Sequence, residues 1–128
     1  MKLLLDTHVL LWWHSEPARL SATAHDAIRH LDNEIFLSVV NGWEVQIKAQ
    51  LGKLTLAKPL RVILEQEQTT NAFRLLPVTM DHVYALDRFP LHHRDPFDRL
   101  LLAQADQERL ILVTHDPKLS AYSVPLLW

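Results

Sequence analysis

Asp95-Pro96-Phe97-Asp98-Arg99-Leu100-Leu101-Leu102-Ala103-Gln104-Ala105, running on to Leu110-Ile111-Leu112-Val113-Thr114-His115-Asp116, is the stretch from which the fold follows. Asp95-Pro96 reads as a helix start. An Asp side chain caps free backbone N–H groups, and proline has no N–H to leave unsatisfied at the first helical position. Behind it Phe97, Leu100, Leu101, Leu102, Ala103 and Ala105 leave almost no polar face, so this helix is expected in the core. Leu110 to Val113 is the strongest strand signal in the chain, a short unbroken apolar run ending at Thr114-His115-Asp116. Asp98 is the anomaly, because a carboxylate one turn into a buried helix is costly to desolvate without a partner. One reading makes it the third-position acid of a capping box, favoured by the helix dipole; the other makes it part of a site.

Outward from this stretch, strands and helices alternate. Lys2 to Leu5 reads as a buried strand ending at Asp6, and Asp6-Thr7 opens an apolar helix from His8 to Trp13 that stops near Ser15-Glu16-Pro17. Ser21 is placed to cap a helix to about Leu31, with Ala22, Ala24, Ala27, Ile28 and Leu31 facing inward, before an Asp32-Asn33 turn. Ile35 to Ser38 reads as a strand and Val39 to Gln50 as a helix ended by Gly52. Leu54 to Leu56 is a brief extended piece, and Pro59 starts a helix to about Ala72. Arg74 to Val78 is a strand that Pro77 pushes toward a sheet edge. Thr79 caps a short helix through Leu86, Phe89 to His93 is a loop, Pro117 to Ala121 a turn or short helix, and Val124 to Leu127 a last strand. The alternation argues for one α/β domain over residues 1–128, a central and largely parallel β-sheet flanked by helices.

Composition narrows the function. With 128 residues, 48% hydrophobic and 22% charged, the chain buries a core without staples. It has no cysteine, which excludes a disulfide scaffold and any thiolate metal site and fits a reducing cytoplasm. The apolar run at the N-terminus is interrupted by Asp6, too early for a signal peptide or a membrane span, so a cytoplasmic protein is expected. A formal charge of −2 gives no support for broad nucleic-acid binding. The adjacent His92-His93 read as solvated loop residues, because no third histidine stands at ligand spacing. Trp12, Trp13 and Trp43 lie on apolar helical runs and read as core or dimer surface rather than base-stacking groups; Trp128 stays open.

Placement of the acids is more informative than their number. Two apolar runs end in an acid, at Asp6 and at Asp116, and the carboxyl ends of parallel strands face the binding crevice. Glu44 lies on the helix after the second strand, and Asp98 in the first turn of the buried helix. Each has an ordinary reading as well: Asp6 as a cap, Asp116 in an Asp-Pro turn, and Glu44 in an i, i+4 pair with Lys48 worth only a few tenths of a kcal/mol if exposed, although Val40, Trp43, Ile47 and Leu51 set an apolar stripe directly beside it. If the four converge, carboxylates about 4 Å apart repel by about 1 kcal/mol in water and about 4 kcal/mol at a surface-like dielectric. They then need a shared cation or a retained proton. An all-oxygen cluster favours Mg2+ or Mn2+ over zinc and suits phosphodiester hydrolysis. Asp6, Asp98 and Asp116 would be the metal ligands, with Glu44 ligating a second ion or orienting the water.

Leu4-Leu5-Asp6-Thr7-His8, Trp43-Glu44-Val45 with Lys48, Gly52-Lys53-Leu54, His93-Arg94-Asp95-Pro96-Phe97-Asp98-Arg99-Leu100-Leu101 and Thr114-His115-Asp116 stand in an order that resembles the PIN-domain ribonucleases, specifically the toxins of VapBC-type toxin–antitoxin pairs. The resemblance spans nearly the whole chain. It implies a PIN fold, Mg2+- or Mn2+-dependent cleavage of RNA, a cognate antitoxin and a homodimer. It also implies a catalytic and metal-binding quartet of Asp6, Glu44, Asp98 and Asp116, and selects Asp98 over Asp95 as the third acid. Asp95 is then the helix cap, with a secondary route to the metal through water, and Thr7 and Thr114 hydrogen-bond the carboxylates or water. Arg94 and Arg99 have two readings, solvated helix-start residues or contacts for an RNA phosphate or the antitoxin. The chain departs from the family pattern at Asn41-Gly42, where relatives often carry serine or another small residue. Two competing functions remain: a non-catalytic interaction module whose acids are caps, and an aspartyl-phosphate phosphatase, which wants a second Asp where His8 stands.

Overall fold

Leu3, Leu4 and Leu5 have no solvent exposure in the computed structural model, which describes residues 1–128. Their strand, β1 (Lys2–Leu5), lies at the centre of a sheet with β2 (Glu34–Ser38), β3 (Arg74–Leu76), β4 (Ile111–Val113) and β5 (Leu126–Leu127). The order is β3-β2-β1-β4-β5, and every neighbouring pair is parallel. Side chains alternate across a strand, so the leucine run feeds two cores. Leu4 joins Leu101, Leu102 and Leu112 on one face; Leu3 and Leu5 join Val9, Ile28 and Val113 on the other.

Helices α1 (Thr7–Ser15) and α2 (Ala22–Arg29) contribute to the second core. Helix α3 (Val39–Gln50) packs against α1, against α4 (Leu60–Thr70) and against α6 (Pro96–Glu108), while α5 (Met80–Ala85) packs on α6. As expected from its composition, α6 is largely buried, and β3 is the edge strand that Pro77 shortens to Arg74–Leu76. Leu54 to Leu56 pairs with no strand. Gly52 ends the α3 turn in the left-handed region at φ +72°, where glycine has no Cβ to clash.

Two local expectations fail at α2. The helix ends at Arg29, Leu31 is 98% exposed, and Ala22 is exposed at the first turn. The cause is a side chain: Asn33 Nδ2 donates to Ala27 O at 2.8 Å, taking a carbonyl that the helix end leaves free, and the N-terminal ammonium donates to Asn33 Oδ1. Trp13 also has a polar role. Its Nε1 donates to the buried Glu67 at 3.0 Å, and His14 and Asn71 bond the same carboxylate, tying α4 to α1.

Because the strands are parallel, their carboxyl ends share one edge of the sheet. The connections diverge between β1 and β4, which makes that point the crevice of the fold. The Asp6 N–H donates to Val113 O at 3.0 Å, so the chain leaving β1 is held beside the chain leaving β4. Asn41 performs the same task on the other side. Wholly buried, it accepts from Ser38 N at 2.7 Å and donates to Leu5 O and Thr7 Oγ1, each at 3.0 Å, pinning the start of α3 to the end of β1. Asn41→Ala would leave buried polar groups unpaired and is expected to cost about 2 kcal/mol, read from the midpoint of urea unfolding. Its neighbour Gly42 is not tightly boxed, since an added Cβ would meet Leu64 Cδ1 at an ordinary 3.6 Å.

Candidate active site

Four elements deliver acids to the crevice. Asp6 follows β1 and is 6% exposed. It occupies the N-cap position of α1 but makes no side-chain capping bond; instead Thr114 Oγ1 donates to Asp6 Oδ2 at 2.7 Å. The same hydroxyl accepts from Asp116 N at 3.1 Å, so Thr114 fixes both acids. Glu44, in the second turn of α3, is 2% exposed. Its Oε2 accepts from Lys48 Nζ at 2.5 Å, the i, i+4 pair visible in the sequence, with the acid side buried beside the apolar stripe. Its Oε1 is buried with no hydrogen-bond partner.

Asp95 caps α6 by accepting from Phe97 N at 2.9 Å and Asp98 N at 3.2 Å. Asp98 makes no reciprocal capping-box bond; its Oδ2 meets His93 Nε2 at 2.7 Å. Asp116 Oδ1 accepts from Lys118 N and caps the Pro117–Ala121 turn, while Oδ2 lies 3.8 Å from His93 Nε2. Asp6, Glu44, Asp95, Asp98, Asp116 and His93 all line one cavity of about 480 Å³.

His93 corrects the expectation of a solvated loop histidine. Its backbone N–H donates to Tyr122 Oη at 2.8 Å, and Tyr122 Oη donates to Pro90 O at 2.7 Å. Arg99 closes the bracket through Nη1 to Pro90 O and Nη2 to Phe89 O, each at 3.0 Å. Arg99, partly exposed, holds the loop that carries His93. No local spacing announces this position, because Tyr122, 29 residues on, sets the loop that carries His93. His92 stays exposed, 5.5 Å from the Tyr122 ring, and Arg94 is exposed without a partner. Thr7 Oγ1 bonds Asn41 rather than a carboxylate.

The enclosed charges alter one another. Burial is the main cause that pushes the Asp98 carboxyl up to about 7; the Asp6 charge raises it further, the His93 hydrogen bond opposes, and Asp95 and Glu44 add to the rise. Asp6 is also raised, by burial first, against the Thr114 hydrogen bond and His8, with Glu44 adding. For Lys48 burial works against the charge, yet Glu44, Asp95 and Asp98 hold its ammonium above the usual lysine range.

Such a site fits a hard divalent cation. The donors are mostly carboxylate oxygens, crowding leaves Asp6 and Asp98 short of counter-charge, and Glu44 Oε1 is a buried acceptor with nothing to accept. His93, Asp98 and Asp116 offer ligand atoms within 4.8 Å of one another.

The fold and the cavity define a parallel α/β domain with a carboxylate site at its topological switch point. The chain belongs to the PIN domain family, whose sequence model matches residues 3–125. Ribonuclease VapC22 of Mycobacterium tuberculosis (strain ATCC 25618 / H37Rv) is 35% identical over 124 residues, 95% of this chain and 92% of that one. The crystal structure of VapBC2 from Rickettsia felis, bound to a DNA fragment from their promoter, superposes with a TM-score of 0.76 at 15% identity, covering 99% of this chain and 98% of that chain. VapBC-5 from Mycobacterium tuberculosis, a member of the VapBC family of toxin-antitoxin systems, gives a TM-score of 0.59 at 18% identity, covering 98% and 95%. At those identities the solved structures speak to the fold.

Proposed function

We propose that this chain is a Mg2+- or Mn2+-dependent endoribonuclease, the toxin of a toxin–antitoxin pair, which hydrolyses RNA phosphodiester bonds at Asp6, Glu44, Asp98 and Asp116. The observation that carries it is the unpartnered, buried Glu44 Oε1 in a cavity shared with Asp6, Asp98 and Asp116. A cap-only role leaves that oxygen and the crowding unexplained, and the phosphatase chemistry lacks its second Asp, since His8 stands there. The likeness to a named ribonuclease supports the reaction, and the VapBC neighbours support a protein partner.

Asp6, Asp98 and Asp116 would hold the metal, with His93 as an adjoining nitrogen donor and Glu44 ligating a second ion or orienting the water. When bound, the metal supplies Lewis-acid polarisation of the phosphoryl oxygen and a lowered pKa for the attacking water. Thr114 keeps Asp6 in one orientation by donating to it, and the Arg99–Tyr122 bracket keeps His93 against Asp98. Lys48 offsets the Glu44 charge and places a cation where a phosphate enters. Arg94, free and exposed, is available to an RNA phosphate or to the antitoxin.

Purified protein is expected to cleave RNA with Mg2+ or Mn2+, to stop with chelator, and to lose cleavage in Asp6→Asn with the fold retained. Cleavage that persists in chelator sinks the metal mechanism. Growth arrest on expression, with RNA breakdown, is expected for the wild type and not for Asp6→Asn. A homodimer fits the outer face of α3, where Val39 and Trp43 are 42% and 57% exposed at i, i+4 spacing. Trp43→Glu is expected to shift the light-scattering mass from dimer to monomer. No helix is long and apolar enough to cross a membrane, and the reading places the protein in the cytoplasm with its RNA substrate.

A further inference from the structure

One wall of the acid cavity is aromatic. The Trp12 ring on α1 lies 5.9 Å from His8, 5.9 Å from His115 and 6.0 Å from Trp128 between centroids, and His115 lies 4.9 Å from Trp128. The Arg19 guanidinium sits over the Trp12 ring, 4.7 Å from its centroid. His8, Trp12, Arg19 and His115 line the cavity that holds the carboxylates. His8, Trp12 and Arg19 continue into an adjoining cavity of about 680 Å³, to which Lys48, Lys53 and Lys58 also contribute. Trp12 and Trp128 rest on the second core with part of each side chain left open. Val9 and Leu10 supply the fully buried apolar contacts of α1, while His8, Arg19 and His115 are exposed and Trp12 is only partly covered.

We propose that the Trp12 cluster is a nucleobase-binding subsite: a base flanking the phosphate at the acids stacks against the Trp12 and His115 rings, and the strand leaves through the lysine-lined cavity. The proposal rests on the ribonuclease reading and adds the path of the substrate. Charge complementarity favours it. The chain carries a net −2, yet Lys53 and Lys58 line this groove without an acidic partner, beside Arg19, which pairs with Glu16, and Lys48, which pairs with Glu44, so a phosphate backbone finds two unneutralised cations there. Grooves for single strands combine such cations with aromatic rings, because every base offers a π-face and arginine adds cation–π attraction. Bases held inside a duplex cannot reach the rings, so the subsite selects unpaired RNA.

The test is binding of a short, fluorescein-labelled single-stranded oligoribonucleotide, followed by anisotropy in Mg2+. The full chain carries Asp98→Asn so that the strand stays intact. Against that background Trp12→Ala is expected to raise the Kd about tenfold, Trp12→Phe to restore most of the affinity, and the exposed His115→Ala to weaken binding in the same direction. An oligomer of the same length with abasic sugars keeps the phosphates but not the bases. Its Kd is expected to ignore Trp12→Ala and to rise in the Lys53→Ala, Lys58→Ala double variant. Should Trp12→Ala not fold, His115→Ala and Arg19→Ala carry the same comparison. Equal effects on both oligomers, or none on either, overturn the subsite while leaving the ribonuclease reading intact. Unchanged RNA affinity with lost affinity for a protein partner also overturns it, assigning the wall to that partner. No RNA binding by the Asp98→Asn parent, with no cleavage by the wild type, overturns both.

Discussion

Asp98→Asn is expected to lower RNA cleavage by about a thousandfold, the scale of losing one preorganised electrostatic group from an active site, while raising the melting temperature of the metal-free protein at pH 8. The two effects have one origin. Asp98 lies in a cavity with Asp6, Glu44 and Asp116, and burial together with the Asp6 charge holds its carboxyl up at about 7. Above that pH the metal-free fold must carry the charge against its neighbours. Asparagine matches the side chain in size and keeps an oxygen facing His93 Nε2, which lies 2.7 Å from the present carboxylate. It removes the repulsion and, with it, the charge that a metal needs. A residue that served only to cap α6 would behave otherwise, since its loss costs about 1 kcal/mol. The cap here is Asp95, which takes the Phe97 and Asp98 N–H groups. Cleavage of a fluorogenic oligoribonucleotide and thermal melts at pH 5 and pH 8 read both effects. A lower melting temperature at pH 8 would make Asp98 a structural residue.

What could be read beforehand depended on range. Leu3-Leu4-Leu5 and Leu110 to Val113 are visible as parallel strands because burial on both faces leaves an unbroken apolar run, and the meeting of Asp6, Thr114 and Asp116 follows once those strands are neighbours. The α6 start is local chemistry, so Asp95 and Pro96 are legible without the fold. Leu31 misled because Asn33, a turn residue, reaches back to end α2. His93 was missed because its position is set by Tyr122, 29 residues away, with Arg99. Asn41 looked like a departure from the family pattern, yet its amide spans Leu5, Thr7 and Ser38, contacts that no helical periodicity announces. For Glu44 and Lys48 the spacing was plain and the apolar stripe beside Glu44 pointed inward, but the oxygen left buried without a partner depends on how α3 packs on its neighbours, which no spacing gives.

Without metal, the melting temperature is expected to fall as pH rises from about 4 to about 8, and Mg2+ or Mn2+ is expected to reverse the fall. In the folded chain the Asp98 carboxyl titrates near 7, against an ordinary 3.8. Between those values the folded state keeps a proton that the unfolded state has released, so the favourable contribution present below about 4 is lost as pH climbs through 7. Asp6 is raised as well, by burial above all, and adds in the same direction. A divalent cation needs the ionised carboxylates, so its binding expels the proton and its apparent affinity climbs with pH over the same window. At a metal concentration a thousand times its Kd the gain is about 4 kcal/mol, a rise on the order of 10 °C for a domain of this size. The metal-dependent shift should therefore be small at pH 5 and large at pH 8, and it should shrink at pH 8 in Asp98→Asn, where the charge is absent at every pH. A shift of equal size at both pH values would place the ion on carboxylates ionised throughout, away from Asp6 and Asp98. No shift at either would remove the metal from this cavity and the hydrolytic mechanism with it.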